Sequence, residues 1–520
     1  MAPSDSVPLA VFLLISIHLI LSEQAHGRTF SLEVHHRYSD HVRRWLSYTA
    51  GVSVEDWPEQ GSVDYYAALS HHDRVFRGRN LAGDGALVSF IDGNMTLHLN
   101  SLGFLHYTTV EIGTPGVRFL VALDTGSDLF WVPCECTSCA SSKPAVSGFP
   151  GIELTIYSPR ESTTSKYVPC NASLCNSQRE CSGMANQCPY TVSYVSGGTS
   201  SSGFLMEDIL YLTTEDSQPK EIHASVVFGC GQVQTGSFLD GAAPNGLFGL
   251  GMSKLSVPSV LASSGLIADS FSMCFGRDNV GRINFGDKGS NDQEVTPLYV
   301  DTSHPTYNVT ITEIEVGAEH IKLETGLSAM FDTGTSFTYL TDPTYTLVAE
   351  NFNSQTRDAP DKPDSKIPFE YCYDMSLDKN FTLIPITITM KGGGKFPVAA
   401  PTISMSTSVQ LMYCLAIVKS KDLNIIGQNF MTGHRIVFDR DKLVLGWKTF
   451  DCYDTEGSAT LSVGSSLPPA STAVPITFNP EDTIINGTAQ FSSAPAFSHA
   501  ISSSFLLGFI VIVFILALKF

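Results

Sequence analysis

Two short segments with the same order of side chains are the candidates for chemistry in this sequence. "LDTGSD" (123–128) and "FDTGTS" (331–336) each place an aspartate after an apolar residue and before Thr, Gly and a hydroxyl residue. A single Asp-Thr-Gly is expected by chance about once in ten chains of this length, and by itself it fits an ordinary turn. The second copy lies 208 positions after the first. The repeat indicates two related lobes that each contribute one aspartate.

The two aspartates, Asp124 and Asp332, have the chemistry of a general acid and base. Two carboxylates at hydrogen-bonding distance do not both ionise readily, so the pair holds one proton over a broad acidic range. The ionised member takes a proton from a water molecule between them, and the protonated member donates to a carbonyl oxygen. Which aspartate holds the shared proton is left open, because the two titrate as a pair. The pair predicts peptide hydrolysis without metal, cofactor or covalent intermediate.

The residues that follow each aspartate are predicted to support it. A glycine lets the backbone approach the carboxylate, a hydroxyl can donate to a carboxylate oxygen, and the threonines are expected to bond to each other across the lobe interface. These supporting residues are Thr125, Gly126, Ser127, Thr333, Gly334 and Thr335.

The surrounding sequence predicts strands to hold the two segments. From about residue 87 to 453, short runs rich in Val, Ile, Phe, Tyr and Thr alternate with Gly, Pro, Asn and Ser, which is an all-β pattern. Helices are expected only at "PSVLASSGLIA" and "DPTYTLVAENFNSQ". Each motif is followed by a matched stretch, "GLFGLG" (246–251) and "NIIGQNF" (424–430). The run "GGGK" (392–395) predicts a hairpin turn rather than a phosphate-binding loop.

In combination these motifs resemble the pepsin-like aspartic endopeptidases over about residues 100 to 453. The resemblance implies an all-β, bilobal fold with the cleft between the lobes, and Asp124 and Asp332 as the catalytic dyad. It also implies that Tyr194 is the flap tyrosine and that Trp131 hydrogen-bonds to it. One departure is Val195, where the family has glycine after the flap tyrosine.

The twelve cysteines all lie between Cys134 and Cys452. An even number in a chain with a secretory signal favours disulfides over free thiols, and over a zinc site at "CECTSC" that lacks a matching pair downstream. Resemblance to the nepenthesin-type plant branch implies the pairs Cys170–Cys188, Cys175–Cys181, Cys274–Cys452 and Cys372–Cys414. A bridge between Cys134 and Cys136 would be strained, so the partner of Cys230 stays open among Cys134, Cys136 and Cys139.

The N-terminal part of the sequence predicts a signal peptide followed by a prosegment that blocks the active site. Residues 1–27 are interpreted as a signal peptide, with a membrane anchor as the alternative. Residues 28–85 are interpreted as a prosegment, with an extension that simply packs as the alternative; residues 28–80 hold seven Arg, seven Asp or Glu and five His, and become positive when the histidines protonate. No lysine precedes Lys143, whereas the pepsinogens resemble one another in covering the dyad with a prosegment lysine. Arginines are therefore expected in that role, such as Arg43, Arg44, Arg74 or Arg77.

The remaining boundaries follow composition. We expect an N-terminal lobe over 86–290, a C-terminal lobe over 291–453, a Ser/Thr/Pro-rich stalk over 454–504 and a hydrophobic tail over 505–520. Small residues ahead of the tail predict a GPI anchor at Ser492 or Ser493, with a single-pass membrane helix as the alternative. Sequons for N-glycosylation lie at Asn94, Asn171, Asn308, Asn380 and Asn486.

The net charge and the motifs of the sequence argue against several classes of function. A formal charge of −20 argues against nucleic acid as a partner. Neither His-Glu-x-x-His nor Gly-x-Ser-x-Gly occurs, so metallo- and serine hydrolases find no support. The sequence predicts a monomeric, acid-active aspartic endopeptidase that cleaves proteins or peptides at the extracellular face of the plasma membrane. The alternative is a catalytically silent binding or inhibitor protein on the same fold.

Overall fold

The computed structural model describes residues 29–50, 57–77, 104–140, 155–175, 181, 186–194, 198–213, 220–239, 242–299, 306–356, 360, 366–375, 383–407, 410–450 and 452. All of them belong to one compact unit, Met1–Ser458; the second unit is Ala459–Phe520. Several predictions lie outside the described residues: the signal peptide, the stalk and tail with Ser492 and Ser493, Val195, and the sequons at Asn94, Asn380 and Asn486.

Most described elements are β-strands in which buried and exposed side chains tend to alternate, as one-sided packing of a pleated strand requires. The first twelve are β1 (Phe30–His36), β2 (His106–Ile112), β3 (Val117–Asp124), β4 (Trp131–Ser138), β5 (Lys166–Tyr167), β6 (Pro189–Ser193), β7 (Ser200–Thr213), β8 (Glu221–Thr235), β9 (Leu247–Gly249), β10 (Ser270–Phe275), β11 (Val280–Phe285) and β12 (Glu294–Pro297). The other twelve are β13 (Asn308–Val316), β14 (Glu319–Phe331), β15 (Thr338–Thr341), β16 (Cys372–Asp374), β17 (Ile386–Met390), β18 (Lys395–Pro397), β19 (Thr402–Ser406), β20 (Leu411–Leu415), β21 (Ile417–Ser420), β22 (Ile425–Ile426), β23 (His434–Asp439) and β24 (Val444–Thr449).

The helices of the described part are short and few. They are α1 (Asp40–Ala50), α2 (Val63–Arg77), α3 (Val257–Ser263), α4 (Thr344–Gln355) and α5 (Gln428–Met431), with one 3₁₀ turn at Gly236–Phe238. The two helices predicted from the sequence correspond to α3 and α4, and the all-β class is confirmed. No helix within the described ranges is long and apolar enough to cross a membrane.

The described strands form one sheet of 14 strands, one of seven and one of three. The large sheet runs in the order β12-β24-β23-β10-β11-β1-β2-β3-β9-β4-β8-β7-β5, with β6 paired to β7. Strands β12, β23 and β24 come from beyond residue 290 and nevertheless join this sheet, with β23 pairing antiparallel to β10. This shared sheet connects the two lobes.

Both lobes use the same local topology to end a strand at an aspartate. In the first, β3 pairs in parallel with β9, and Asp124 lies opposite Gly249. In the second, β14 pairs in parallel with β22, with Phe331 opposite Ile426. The matched stretches "GLFGLG" and "NIIGQNF" therefore supply the equivalent strand in each lobe.

The segment interpreted as a prosegment is part of the folded unit. Strand β1 lies between β11 and β2 and pairs antiparallel with both. Helices α1 and α2 follow it, and Tyr65 and Leu69 of α2 are buried in a cluster with Phe337 and Phe369 of the second half. The N-terminal segment thus completes the shared sheet and covers the second lobe.

Six disulfides account for all twelve cysteines. Two are pairs that the family resemblance implied, Cys274–Cys452 and Cys372–Cys414. The open question at the first cluster is answered by Cys134–Cys230 and Cys136–Cys139. Glu135 adopts a left-handed φ of 41° between the two half-cystines, which turns the chain so that they take different partners. With these sulphurs in disulfides, "CECTSC" is not a zinc site.

The other two predicted pairs, Cys170–Cys188 and Cys175–Cys181, are wrong. The structure pairs Cys170 with Cys181 and Cys175 with Cys188. Backbone hydrogen bonds join Cys188 to Val168 and Leu205, which places Cys188 in the interior beside the buried Cys175. The half-buried Cys170 and Cys181 are left to pair with each other. The Sγ atoms of Cys175 and Cys181 are only 3.9 Å apart, so spacing along the chain does not distinguish the two arrangements.

Candidate active site

Each aspartate is held by the backbone of its own loop. The Gly126 amide donates to Asp124 Oδ1 at 2.9 Å, and the Gly334 amide donates to Asp332 Oδ1 at 3.0 Å. The backbone of each aspartate is also bonded to the neighbouring stretch, "GLFGLG" or "NIIGQNF". Leu250 N donates to the Asp124 carbonyl, and Asp332 N donates to the Ile426 carbonyl. The two carboxylates are therefore oriented by equivalent bonds in the two lobes.

A hydrogen bond between the lobes brings the two loops together. The Oγ1 atoms of Thr125 and Thr333 lie 3.2 Å apart in a buried setting. Each threonine is the residue next to its aspartate, and Asp124 and Asp332 are themselves buried, with 7% and 1% of their surface exposed. The structure thus brings the two buried loops that carry the predicted pair into contact.

The two supporting hydroxyls differ. Thr335 Oγ1 donates a short hydrogen bond to Asp332 Oδ2. The Ser127 hydroxyl makes no such bond to Asp124 and instead lies buried next to the Tyr194 hydroxyl. The predicted support therefore holds in the second lobe, whereas in the first the hydroxyl faces Tyr194.

Tyr194 and Trp131 meet as the family resemblance implied. Trp131 Nε1 donates to the Tyr194 hydroxyl at 3.0 Å. Burial raises the pKa of Tyr194, the Trp131 hydrogen bond acts in the opposite direction, and the nearby Asp124 raises it further. Sequence reasoning missed Phe238, whose ring packs edge-on against both Trp131 and Tyr194 at 4.9 and 5.0 Å. No motif marks Phe238, because its role depends on where the 3₁₀ turn packs.

Replacing Trp131 by Phe should lower kcat/KM by about fivefold to tenfold, since the variant loses one net hydrogen bond to Tyr194 while it keeps an aromatic ring. Peptide cleavage kinetics measure the change. Trp447→Phe is the matched control, because Trp447 Nε1 is also buried and donates to a backbone carbonyl, that of Lys395. A loss of the same size in the control would show that Trp131 acts only through general stability.

Helix α2 contacts the loop that carries Asp332. His72 Nε2 lies 3.1 Å from the Gly334 carbonyl oxygen, and the Asp73 carboxylate accepts from the amides of Ser336 and Phe337 at 2.8 and 3.2 Å. Arg37 is buried and its Nη1 lies 3.1 Å from His72 Nδ1. Residues of the N-terminal segment are thus packed directly against the candidate site.

The arginines predicted for this role make other contacts. Arg43 pairs with Asp40, Arg44 Nε donates to the Asp40 carbonyl, and Arg74 Nε donates to the Ser70 carbonyl. Arg43 also lies over the Trp57 ring, 5.7 Å from its centroid, and the side chain of Arg77 lies outside the described residues. His72 and Asp73, which the sequence analysis did not name, bond to the backbone of the Asp332 loop, and the role of Arg77 stays a prediction.

One group of side chains has the composition of a metal site. Ligand atoms of Glu313, Glu315 and His320 lie within 4.8 Å of one another on the β13–β14 hairpin. Glu315 is paired with Lys395 at 2.7 Å, and His320 with Glu313 at 2.9 Å. These contacts satisfy the carboxylates without an ion, and the group is not part of the two-aspartate site.

Of the two sequons in the described part, Asn171 is exposed. Asn308 is half-buried at the start of β13, and its side-chain amide donates to Thr306 Oγ1 at 2.7 Å. Asn171 is the more accessible acceptor for a glycan.

Two family models match the chain. "Xylanase inhibitor N-terminal" covers residues 106–287 and "Xylanase inhibitor C-terminal" covers residues 306–449. Together they span more than half of the sequence, with one candidate aspartate in each.

Individual proteins with similar sequences or structures indicate the same family. The chain is 50% identical over 517 residues to "Aspartyl protease family protein 1" of Arabidopsis thaliana, with 98% of each chain covered. It is 27% identical over 362 residues to aspartic proteinase nepenthesin-2 of Nepenthes gracilis, which covers 66% of this chain and 77% of that protein. Among solved structures, basic 7S globulin from soybean has a TM-score of 0.53 at 20% identity and covers 68% of this chain and 96% of that chain, which shows a shared fold.

Proposed function

Because the chain belongs to the TAXi-type aspartic protease family, we propose that it is an aspartic endopeptidase that hydrolyses peptide bonds at acidic pH. The observation that carries this proposal is the pair Asp124 and Asp332 on equivalent loops joined by the Thr125–Thr333 contact. Both carboxylates are present and oriented by backbone amides, as a water-activating pair requires.

The mechanism uses only this chain's side chains. A substrate peptide lies in the cleft with its carbonyl carbon facing a water molecule between the two carboxylates. The ionised aspartate accepts a proton from the water as its oxygen attacks the carbon, and the protonated aspartate donates to the carbonyl oxygen. When the tetrahedral intermediate collapses, the amine leaves with the proton that the first aspartate took from the water, and a diol hydroxyl returns its proton to the other aspartate as the carbonyl re-forms. Thr335 holds the Asp332 carboxylate in the orientation that this exchange needs.

We also propose that the protein is made as a secreted, glycosylated zymogen that is attached to the cell surface by a glycolipid. The apolar N-terminal segment, the six disulfides and the small residues ahead of the C-terminal tail support this location. The packing of α2 against the Asp332 loop supports the zymogen, since His72 and Asp73 bond to the backbone of the loop that carries one of the two aspartates.

A second candidate function is a silent binding protein. It is favoured by the names of the matching families, both of which are xylanase inhibitor models, and by the likeness to a seed globulin. The retained pair of aspartates and the Thr335 hydrogen bond to Asp332 favour the enzyme.

Cleavage of a denatured protein at pH 3 to 6, with and without pepstatin, tests the proposal. The chain is expressed without its last 28 residues, which belong to the separate C-terminal unit. Cleavage that pepstatin blocks is the expected result. No cleavage after acid incubation and removal of the N-terminal segment would contradict it and favour the binding protein.

A further inference from the structure

The carboxylate of Asp73 occupies a site built entirely from the second lobe. Ser336 N donates to Oδ1 at 2.8 Å, Phe337 N donates to Oδ2 at 3.2 Å, and the Tyr339 hydroxyl donates to Oδ2 at 2.9 Å. Asp73 has no exposed surface, and Tyr339 has 3%. Three convergent donors in a desolvated setting make a carboxylate-binding site, which we call the carboxylate seat.

The carboxylate seat is continuous with the catalytic loop. Its first donor, Ser336 N, directly follows Thr335, whose hydroxyl donates to Asp332. His72, the neighbour of Asp73 on α2, lies against the Gly334 carbonyl. A ligand that replaces α2 at this position is therefore held beside the dyad.

The geometry of the carboxylate seat distinguishes an acid from an amide. Two donors, from Phe337 and Tyr339, converge on the same oxygen of Asp73, while the third meets the other oxygen. Both terminal atoms of the occupant must therefore accept hydrogen bonds. A carboxylate meets this requirement, whereas the NH₂ group of an asparagine or glutamine cannot accept and would face a backbone N–H.

An apolar surface lies next to the carboxylate seat. Leu69 and Tyr65 of α2 pack in a cluster with Phe337, Phe369 and Met412. When α2 leaves, these side chains of the second lobe become available to large apolar residues of another chain.

Building on the proposed function, we propose that the carboxylate seat is a substrate subsite of the activated enzyme. It binds the carboxylate of an Asp or Glu side chain in the substrate peptide, and the neighbouring apolar surface binds a bulky apolar residue close to it. In the described structure Asp73 occupies the subsite as an internal mimic of that acidic residue. The activated enzyme accordingly cleaves peptides that carry an acidic side chain at one fixed distance from the scissile bond faster than their amide counterparts.

The test compares pairs of quenched-fluorescence peptides that share one apolar cleavage sequence. Within each pair a single position carries Asp or Asn, and that position is moved along the peptide. The assay runs at pH 4, where a peptide aspartate is about half protonated, because burial raises the pKa of Asp73 in the carboxylate seat to about 7 and an acid bound there takes up a proton. We expect one position at which kcat/KM is about tenfold higher for Asp than for Asn. If the enzyme cleaves both peptides well but at equal rates at every position, the proposal that the carboxylate seat is a substrate subsite is wrong.

Two tyrosine variants connect the preference to the carboxylate seat. Tyr339→Phe removes one of its donors and should reduce the Asp/Asn ratio by several-fold. Tyr345→Phe is the matched control, because its hydroxyl bonds to Glu370 and not to Asp73, and it should leave the ratio unchanged. An unchanged ratio in Tyr339→Phe would also overturn the assignment.

A binding measurement separates this inference from the proposed function. If no peptide is cleaved, the proposed function fails and the carboxylate seat is tested without catalysis. A peptide with the sequence of residues 63–77 is then compared with its Asp73→Asn version for binding to Asp124→Asn protein from which an added protease has removed the N-terminal segment. The Asp73 peptide should bind about tenfold more tightly. If the Asp73 peptide and its Asn version bind with equal affinity, the carboxylate seat does not select a carboxylate, whether or not the protein is an enzyme.

Discussion

Replacing Asp124 by Asn is expected to abolish peptide hydrolysis while the protein still folds. An amide in place of the carboxylate neither takes a proton from water nor shares one with Asp332, so general acid–base catalysis is lost. The loss in kcat should be on the order of 10²–10⁴-fold or more. Asn retains the side-chain oxygen that accepts from the Gly126 amide, and the loop keeps its conformation. Cleavage assays at acidic pH, with circular dichroism to check the fold, measure both effects.

The control for Asp124→Asn is the same substitution at an exposed aspartate. Asp292 pairs with Lys448 on the surface, far along the chain from either motif, and Asp292→Asn should leave kcat and KM unchanged. Asp332→Asn should behave as Asp124→Asn does, because the two carboxylates act as one unit. Full activity in either dyad variant would refute the two-aspartate mechanism and leave binding as the function.

The two aspartates and the glycine amides that hold them were predictable because their geometry is local, whereas the contact of Ser127 was not. A strand that ends in Asp-Thr-Gly places the glycine amide on the carboxylate oxygen wherever the strand lies, and this occurs at both Asp124 and Asp332. The contact between Trp131 and Tyr194 was available from the family resemblance. The repeated motif therefore identified the candidate site from sequence alone.

The contacts of the N-terminal segment were not predictable, since they depend on how α2 packs against the second lobe. Nothing in "HHDR" shows that Asp73 accepts hydrogen bonds from residues more than 260 positions away. The wrong prediction for two disulfides has a similar cause, because the observed pairs Cys170–Cys181 and Cys175–Cys188 depend on packing. Four cysteines within a short insert bring their sulphurs close together, and the burial of Cys175 and Cys188 decides the pairing.

The second large effect is pH-dependent release of the N-terminal segment. His36 of β1 is buried beside His106, 5.5 Å between ring centroids, and His35 stacks on His41 at 3.8 Å. Burial, then the neighbouring His41 and Arg44, lowers the pKa of His35 to about 4, and burial lowers the pKa of His106 to about 3. The docked segment keeps these imidazoles neutral and in contact. Acid therefore favours a state in which they are exposed and charged.

Each histidine with a lowered pKa contributes docking stability that is complete above pH 6.5 and is lost as the pH falls toward its docked value. For His35, the difference between 6.5 and about 4 favours release by about 2 kcal/mol at pH 5. Burial lowers the pKa of His36, His41 and His71 as well, with further lowering from Arg37, Arg44 and Arg74, while Glu33 partly opposes the shift at His41.

Protonation of Asp73 favours docking of the N-terminal segment, whereas protonation of the histidines favours its release. Burial raises its pKa to about 7, although its hydrogen bonds from Ser336, Tyr339 and Phe337 lower it. A raised carboxyl pKa stabilises the docked state at low pH, and this contribution decreases as the pH rises from about 4 to 7. Five histidines that release the segment in acid outweigh one aspartate that retains it. Net release is therefore expected between pH 6.5 and about 4.

Deuterium uptake by residues 63–77 as a function of pH measures this release, with uptake corrected for the intrinsic pH dependence of exchange. The measurement uses Asp124→Asn protein, so that the segment is not cut. Protection of α2 should be lost between pH 6.5 and 4, and His36→Gln, which never charges, should move the midpoint to lower pH by about half a unit to one unit. His223→Gln is the control, because that histidine is exposed on β8 and pairs with Glu221. If α2 stayed protected at pH 4, or if both variants released it at the parent midpoint, histidine protonation would not be the trigger, and exposure of the dyad would require cleavage by another protease.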